Sequence, residues 1–262
     1  MVGCALIVLE VGLAAGASRL APYDPNAPDF RAALHAPGWT HPLGTDDLGR
    51  DILSRIMHGA RLSLQVSVVA VGLAVAAGVV VGLVSGYLGG QLDNWLMRVV
   101  DSLLALPPLV LALIITAVLG AGLQNAMIAI AAVTAPTYTR LMRGQVLAVK
   151  QNEYVVAARA SGAPLGRILG RHVLPNTVGP IIVQASLGVG AAIITESSLS
   201  FIGLGAQPPV ATWGSMVQVG FQYLETAPWF VLAPSTMIFV AVLSFNLLGD
   251  GLRDALDPSL RP

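Results

Sequence analysis

Long stretches without charge dominate the chain, and their lengths predict its elements. A helix that crosses a membrane needs about 20 apolar residues, because the hydrocarbon is about 30 Å thick and the helix rises about 1.5 Å per residue. Leu62 to Leu88 carries no charge and predicts one span with room to tilt. Ser102 to Thr139 is also uncharged but too long for a single crossing. Its turn-forming and polar stretch GAGLQN, Gly120 to Asn125, divides it into two helices joined by a tight hairpin, and Pro107-Pro108 starts or kinks the first of them. Val178 to Leu204, interrupted only by Glu196, and Pro228 to Leu248 supply two more. With Val2 to Leu20, the pattern predicts an all-α membrane protein with six transmembrane helices. The first segment ends like a secretory signal, with small residues at Ala15 to Ala17, but it lacks a basic leading region, so an uncleaved first helix is expected.

The spans divide the chain into a first helix (1–20), an outer loop (21–61) and a core domain (62–262) with five helices, an inner loop at 144–177 and a second outer loop at 205–227. Six crossings return both termini to one side, and basic residues decide which side. Arg98, Arg140, Arg143, Lys150, Arg159, Arg167, Arg171, Arg253 and Arg261 lie on the side of the termini, against Arg19, Arg31, Arg50, Arg55 and Arg61 on the other. The excess predicts that both termini and the inner loop are cytoplasmic. Trp213 and Trp229 suit an interfacial aromatic belt.

Composition supports the membrane as solvent: 55% of residues are hydrophobic and 11% charged, where soluble domains carry about a quarter charged. The 14 basic and 14 acidic side chains cancel, so no overall field attracts nucleic acid. The single cysteine, Cys4, forms neither an intramolecular disulfide nor a cysteine metal cluster. Lys150 is the only lysine and lies in LAVKQNEY, outside any G-x-x-x-x-G-K-[ST] phosphate loop, so ATP-driven work requires another polypeptide. All four histidines fall outside the predicted spans, which leaves an intramembrane hydrolase without its base. Ser85 in GLVSGY fits close helix packing instead. A zinc site from His35, His41, Asp46 and Asp47 has no H-x-x-x-H pair, and solvated loop residues are the simpler reading.

The inner loop holds EYVVAARASGAPLGRILGRHVLPN, Glu153 to Asn176. Glu153 to Ala160 favours a helix, Gly162 stands where a helix C-terminus uses positive φ, and Pro164 suits the first turn of a second helix. In that helix Leu165, Ile168 and Leu169 form an apolar stripe, with Arg167 and Arg171 on another side, and Pro175 ends it before the next span. A short amphipathic helix of this kind either lies on the bilayer interface or enters a partner's groove.

This stretch resembles the EAA loop of ABC importer membrane subunits. Ala157, Ala158, Gly162, Leu174 and Pro175 fall in register with it, whereas Val156 replaces the motif glutamate and His172 its isoleucine. HPLGTDDLGRDILSRIMHGARLSL (from His41), ESSLSFIGLGAQPPVATWGSM (from Glu196) and NLLGDGLRDALDP (Asn246 to Pro258) are similar to the C-type subunit of dipeptide, oligopeptide and nickel importer permeases. That family carries a cytoplasmic tail before its first helix, so the resemblance implies that Met1 is a truncated or misassigned start.

The resemblance implies a type I ABC importer permease in the cytoplasmic (inner) membrane of a prokaryote. It implies a B-type permease with which this chain forms the pore, two cytoplasmic ABC ATPase subunits that bind ATP and Mg, and an extracytoplasmic substrate-binding protein. This chain would bind no cofactor and catalyse nothing; it would import peptides or related small solutes. The coupling loop would comprise Glu153, Ala157, Ala158, Arg159, Gly162, Leu165, Ile168, Leu169, Leu174 and Pro175. Thr45, Asp46, Asp47, Arg50 and Asp51 either face the binding protein or satisfy one another, with Asp46/Arg50 and Asp47/Asp51 at helical spacing behind a Thr45 or Asp46 cap. Glu196 is read as the acidic residue well inside an apolar run. It either faces the pore or a subunit interface, pairing with Arg61 or a partner, or stands at the outer rim. A self-contained secondary transporter or channel is the alternative, and it would favour paired discontinuous helices and more ionisable groups in the membrane.

Overall fold

A computed structural model describes residues 2–256. Met1, Arg261 and the Asp257-Pro258 end of the third motif lie outside the described residues. The regular elements are all helices. α1 (Val2–Leu20) is followed by α2 (Ile52–Leu88), α3 (Gly90–Leu104), α4 (Pro108–Leu119) and α5 (Leu123–Val149). Two short helices, α6 (Glu153–Ala160) and α7 (Leu165–Arg167), lead through a π-helical turn at Ile168–Val173 into α8 (Leu174–Phe201). α9 (Trp213–Phe221) and α10 (Trp229–Leu256) complete the order.

Contacts at the two ends of α2 define two faces of the bundle. Its first turns pack Ile52 and Ile56 with Met216 of α9 and Phe230 of α10, beneath residues 21–51; this is the cap end. Its last turn meets Lys150 and Arg159, and this is the loop end. Six helical segments, α1, α2, the α3–α4 pair, α5, α8 and α10, correspond in order to the six expected spans.

Four of these segments are long and apolar enough to cross a membrane: α1, α2, the continuous run Leu165–Phe201 and α10. α3 and α4 qualify together, across a bend of 93°. α5, at 27 residues and about 40 Å, has the length but carries Thr134, Arg140 and Arg143. It tolerates them because it packs on α2, α3, α4 and α8, and its polar groups find protein partners.

The third span differs from its expected start at Ser102. α4 holds only 12 residues with Pro108 in its first turn, and Pro107 ahead of it is extended. A residue before proline is driven from the helical region, so α3 cannot continue into α4. The acidic positions of α3 are paired with α5 instead: Asp93 turns inward to Arg143, and Asp101 pairs with Arg140 at the exposed surface. α2 begins ten residues before the expected Leu62, because Asp51 caps it by accepting from the Ser54 N–H at 2.8 Å. The helix expected over Thr45 to Asp51 does not form; Thr45 bridges Asp51 across a turn closed through Gly44 and Gly49.

A small-residue seam joins α2 to α5. A Cβ at Gly82 would stand 2.5 Å from the Thr139 carbonyl and 2.8 Å from the Met142 Cβ, and Gly78 and Gly86 are as tight against Tyr138 and Val146. Glycine at this spacing lets two helix backbones touch along several turns.

Candidate functional site

The loop at 150–173 is built as a rigid piece. α6 ends in a Schellman turn: Gly162 at φ +74 donates to the Arg159 carbonyl at 3.0 Å, and Ala163 donates to the Ala158 carbonyl at 3.1 Å. Val155, Ile168 and Val173 are buried against the bundle, and Ala158, Ala163, Leu169 and Leu174 pack beside them. The apolar stripe expected for the second helix is therefore split. Ile168 and Leu169 anchor the loop, while Leu165 points outward. Glu153, Ala157 and Arg159 lie on the exposed side.

Tyr154 and Val156, on the two flanks of α6 beside buried Val155, and Leu165 are exposed apolar side chains. Val156, in the motif glutamate's place, is 51% exposed, so the substitution adds apolar surface without disturbing the core. Tyr154 and the anchors Val155 and Val173 were not among the candidates. The helical spacing of Tyr154 and Val155 to Ala158, and of Val173 to Leu169, was the available signal.

Pro175 does not end the loop helix; the helical run continues through it. The Leu174 N–H bonds to Leu169, five residues back, and this wider turn brings Pro175 into the first turn of α8, where its missing N–H costs nothing. Arg159 donates to the Tyr87 hydroxyl at 3.2 Å, with its guanidinium 5.4 Å from the ring centroid. Lys150 donates to the Gly86 carbonyl at 2.8 Å.

At the cap end, Thr45, Asp46 and Asp51 are buried and bonded to other residues of the cap and of α2, Thr45 donating to the Ala32 carbonyl and accepting from the His35 N–H. Asp46 accepts from Arg50 Nε at 2.6 Å and lies 3.4 Å from Arg55. Asp51 also bonds His41 and the Ser54 hydroxyl. Asp47 and Arg50 stand at the rim, 3.8 Å apart. Trp213 is fully buried rather than interfacial: its indole donates to the Ile56 carbonyl and its backbone N–H to Ser63 Oγ, which pins α9 to α2.

Glu196 is buried, but it accepts from Ser200 Oγ at 2.7 Å, while Arg61 is exposed elsewhere. Ser200 in turn receives the Ala206 N–H and Thr212, the N-cap of α9. Glu196 thus ties α8 to the segment that positions α9. A second intramembrane carboxyl, Glu10, lies midway along α1 and is also buried. No group among the described residues hydrogen-bonds its oxygens. The reading of Glu196 as the one acid within an apolar run is corrected here; a lone glutamate in Val2–Leu20 was the visible signal.

A helical bundle with a docked amphipathic loop at one end and a folded cap at the other defines an integral-membrane transport component. Residues 78–262 match the family described as binding-protein-dependent transport system inner membrane component, and the chain belongs to that family. It is a permease subunit and not an enzyme. A dipeptide transport system permease protein DppC from Escherichia coli is 49% identical over 268 residues, covering all of this chain and 89% of the relative. The DppC of Alkalihalophilus pseudofirmus is 46% identical over 87% of this chain and 75% of its own length. A glutathione transport system permease protein GsiD from Pectobacterium atrosepticum is 44% identical over 97% of this chain and 85% of its own. The inward-facing MetNI methionine ABC transporter shares the fold, with a TM-score of 0.64 at 18% identity over 78% of this chain and 96% of that one.

Proposed function

We propose that this chain forms half of the translocation pore of an ATP-driven importer for peptides or related small solutes. A B-type permease forms the other half, seated on apolar bundle surface such as the groove of about 440 Å³ between α2, α5 and α8, lined by Val79, Met142 and Ile181. Both termini and the 150–173 loop face the cytoplasm, in the inner membrane of a prokaryote. The loop is the seat for a separate ATPase subunit, which binds ATP and Mg, while the cap end meets the substrate-binding protein through the rim residues Asp47 and Arg50.

One observation carries this reading: the loop is fixed from beneath by Val155, Ile168 and Val173, yet offers Tyr154, Val156 and Leu165 outward. A held helix transmits force, and exposed apolar side chains fit a protein groove. Shifting a two-state pore from 1:99 to 99:1 takes about 5.5 kcal/mol of differential binding, which a loop free to bend would dissipate. Glu10 and Glu196 do not support a self-contained transporter, since they lie on different helices with different neighbours.

Co-expression with its genomic neighbours tests the proposal. The chain is expected to purify with an ATPase, and Gly162→Val to insert normally but hydrolyse ATP without uptake. Ligand uptake by preparations free of any ATPase would refute it.

A further inference from the structure

We infer that Asp93 and Arg143 are positioning residues for coupling: together with Lys150, Arg159 and Tyr87 they clasp α3 and the end of α2 to the helix that carries the loop. This inference rests on the loop being the ATPase contact.

The links converge on one short stretch, Ser85 to Asp93. Arg143 of α5 holds Asp93 of α3 with both prongs, Nε to Oδ1 at 2.6 Å and Nη2 to Oδ2 at 2.7 Å. The Ser85 hydroxyl of α2 donates to the same carboxylate, so three helices meet at one buried group. One residue on, Lys150 satisfies the Gly86 carbonyl, a last-turn acceptor that the helix itself leaves open. Next to it, Tyr87 receives Arg159 of α6 through both its hydroxyl and its ring. Two turns further along α3, Asp101 pairs with Arg140.

Apart from the Ser85–Asp93 bond, which joins α2 to α3, each link has one partner on α5, on α6 or at Lys150 between them, and the other on α2 or α3. A planar guanidinium fork fixes orientation as well as distance, so a tilt of α5 carries α3 with it. The glycine seam already joins α2 to α5. On the far side, the loop runs on into α8 through the π-helical turn, whose Ile168 and Val173 are seated in the bundle. Displacement of the loop therefore enters α2, α3 and α5 as one body. Because α3 leads through Pro107 into α4, the broken span is what this body moves.

The test uses the complete transporter reconstituted in vesicles, read as substrate uptake per ATP hydrolysed. Asp93→Asn removes the charge, and Arg143→Lys keeps the charge but removes the fork. Both are expected to lower the ratio roughly 5- to 150-fold, the usual span of site-to-site coupling, while ATP hydrolysis continues. Asp93→Glu is expected to retain more of it than Asp93→Asn. A merely structural role would lower yield or Tm and leave the ratio of the assembled protein unchanged. If an Asp93 variant does not assemble, Tyr87→Leu at the half-buried rim reads the same ratio. Unchanged ratios in these variants, with Gly162→Val uncoupled, overturn the clasp. An unchanged ratio in Gly162→Val as well overturns the loop reading instead.

Discussion

Gly162 separates backbone conformation from packing, because its φ is +74 and no described atom stands within 4 Å of where a Cβ would be. Substitution meets no clash, so its cost is that of placing an L-residue in the left-handed region, about 1–2 kcal/mol for alanine. That corresponds to roughly a 5- to 30-fold fall in the ratio of capped to uncapped loop. Asparagine tolerates this region better than alanine, and a β-branched valine worse. Hydrogen exchange at the Gly162 and Ala163 amides reads the population directly, since these are the donors of the Schellman turn. Exchange is expected to quicken in the order Gly, Asn, Ala, Val, and uptake per ATP to fall in the same order. Gly144→Ala is the control: it lies within α5 with open space around it and no positive φ, and is expected to stabilise by about 0.5–1 kcal/mol. Equal exchange in Gly162→Ala and the parent, or faster exchange in Gly162→Asn than in Gly162→Ala, would refute the argument from φ.

Gly82→Val drives a branched side chain into the Thr139 carbonyl and Met142, and is expected to cost about 1–3 kcal/mol in thermal unfolding, whereas Gly72→Ala, within α2 and with open space around it, is expected to stabilise slightly. Asp51→Ala removes the α2 cap and the acceptor of the Ser54 hydroxyl; a loss of about 0.5–2 kcal/mol is expected in denaturant titration of the purified transporter. Glu196→Gln keeps an acceptor for Ser200 and is expected to be nearly neutral, while Glu196→Leu leaves that hydroxyl unmatched and lowers stability by about 1–3 kcal/mol. Glu10→Met replaces a buried carboxyl lacking hydrogen-bond partners among the described residues and is expected to raise the Tm, since removing an unpaired buried polar group relieves its desolvation.

Features that depend on one residue or one run were legible, and those that depend on register or distance were not. The uncharged runs gave the six helical segments because transfer into lipid sums over about 20 neighbouring residues. The same summation hid Glu10, a single acid averaged into an apolar helix, and it said nothing of the pair Asp93 and Arg143, which lie 50 residues apart without helical spacing. The split of Leu165 from Ile168 was hidden for a related reason. A stripe of apolar positions names a face, but which part of it meets the bundle depends on where the neighbouring helices stand.

Gly162 and Pro175 show the limit within a single loop. The glycine was read correctly because positive φ is a property of one residue, whatever surrounds it. The proline was read as a stop because a proline in an ordinary α-helix removes a bond to the residue four back and clashes there. Here the bond ahead of it already reaches five residues back, from Leu174 to Leu169, and that register accompanies the burial of both Ile168 and Val173 against the bundle. The effect of Pro175 is thus set by tertiary contacts on the turn before it, which local sequence rules do not contain. The same contacts, Ile168 and Val173 against the bundle, fix the loop at its α8 end as Val155 fixes it at its α5 end, so the residue that sequence alone misreads marks a held joint rather than a stop.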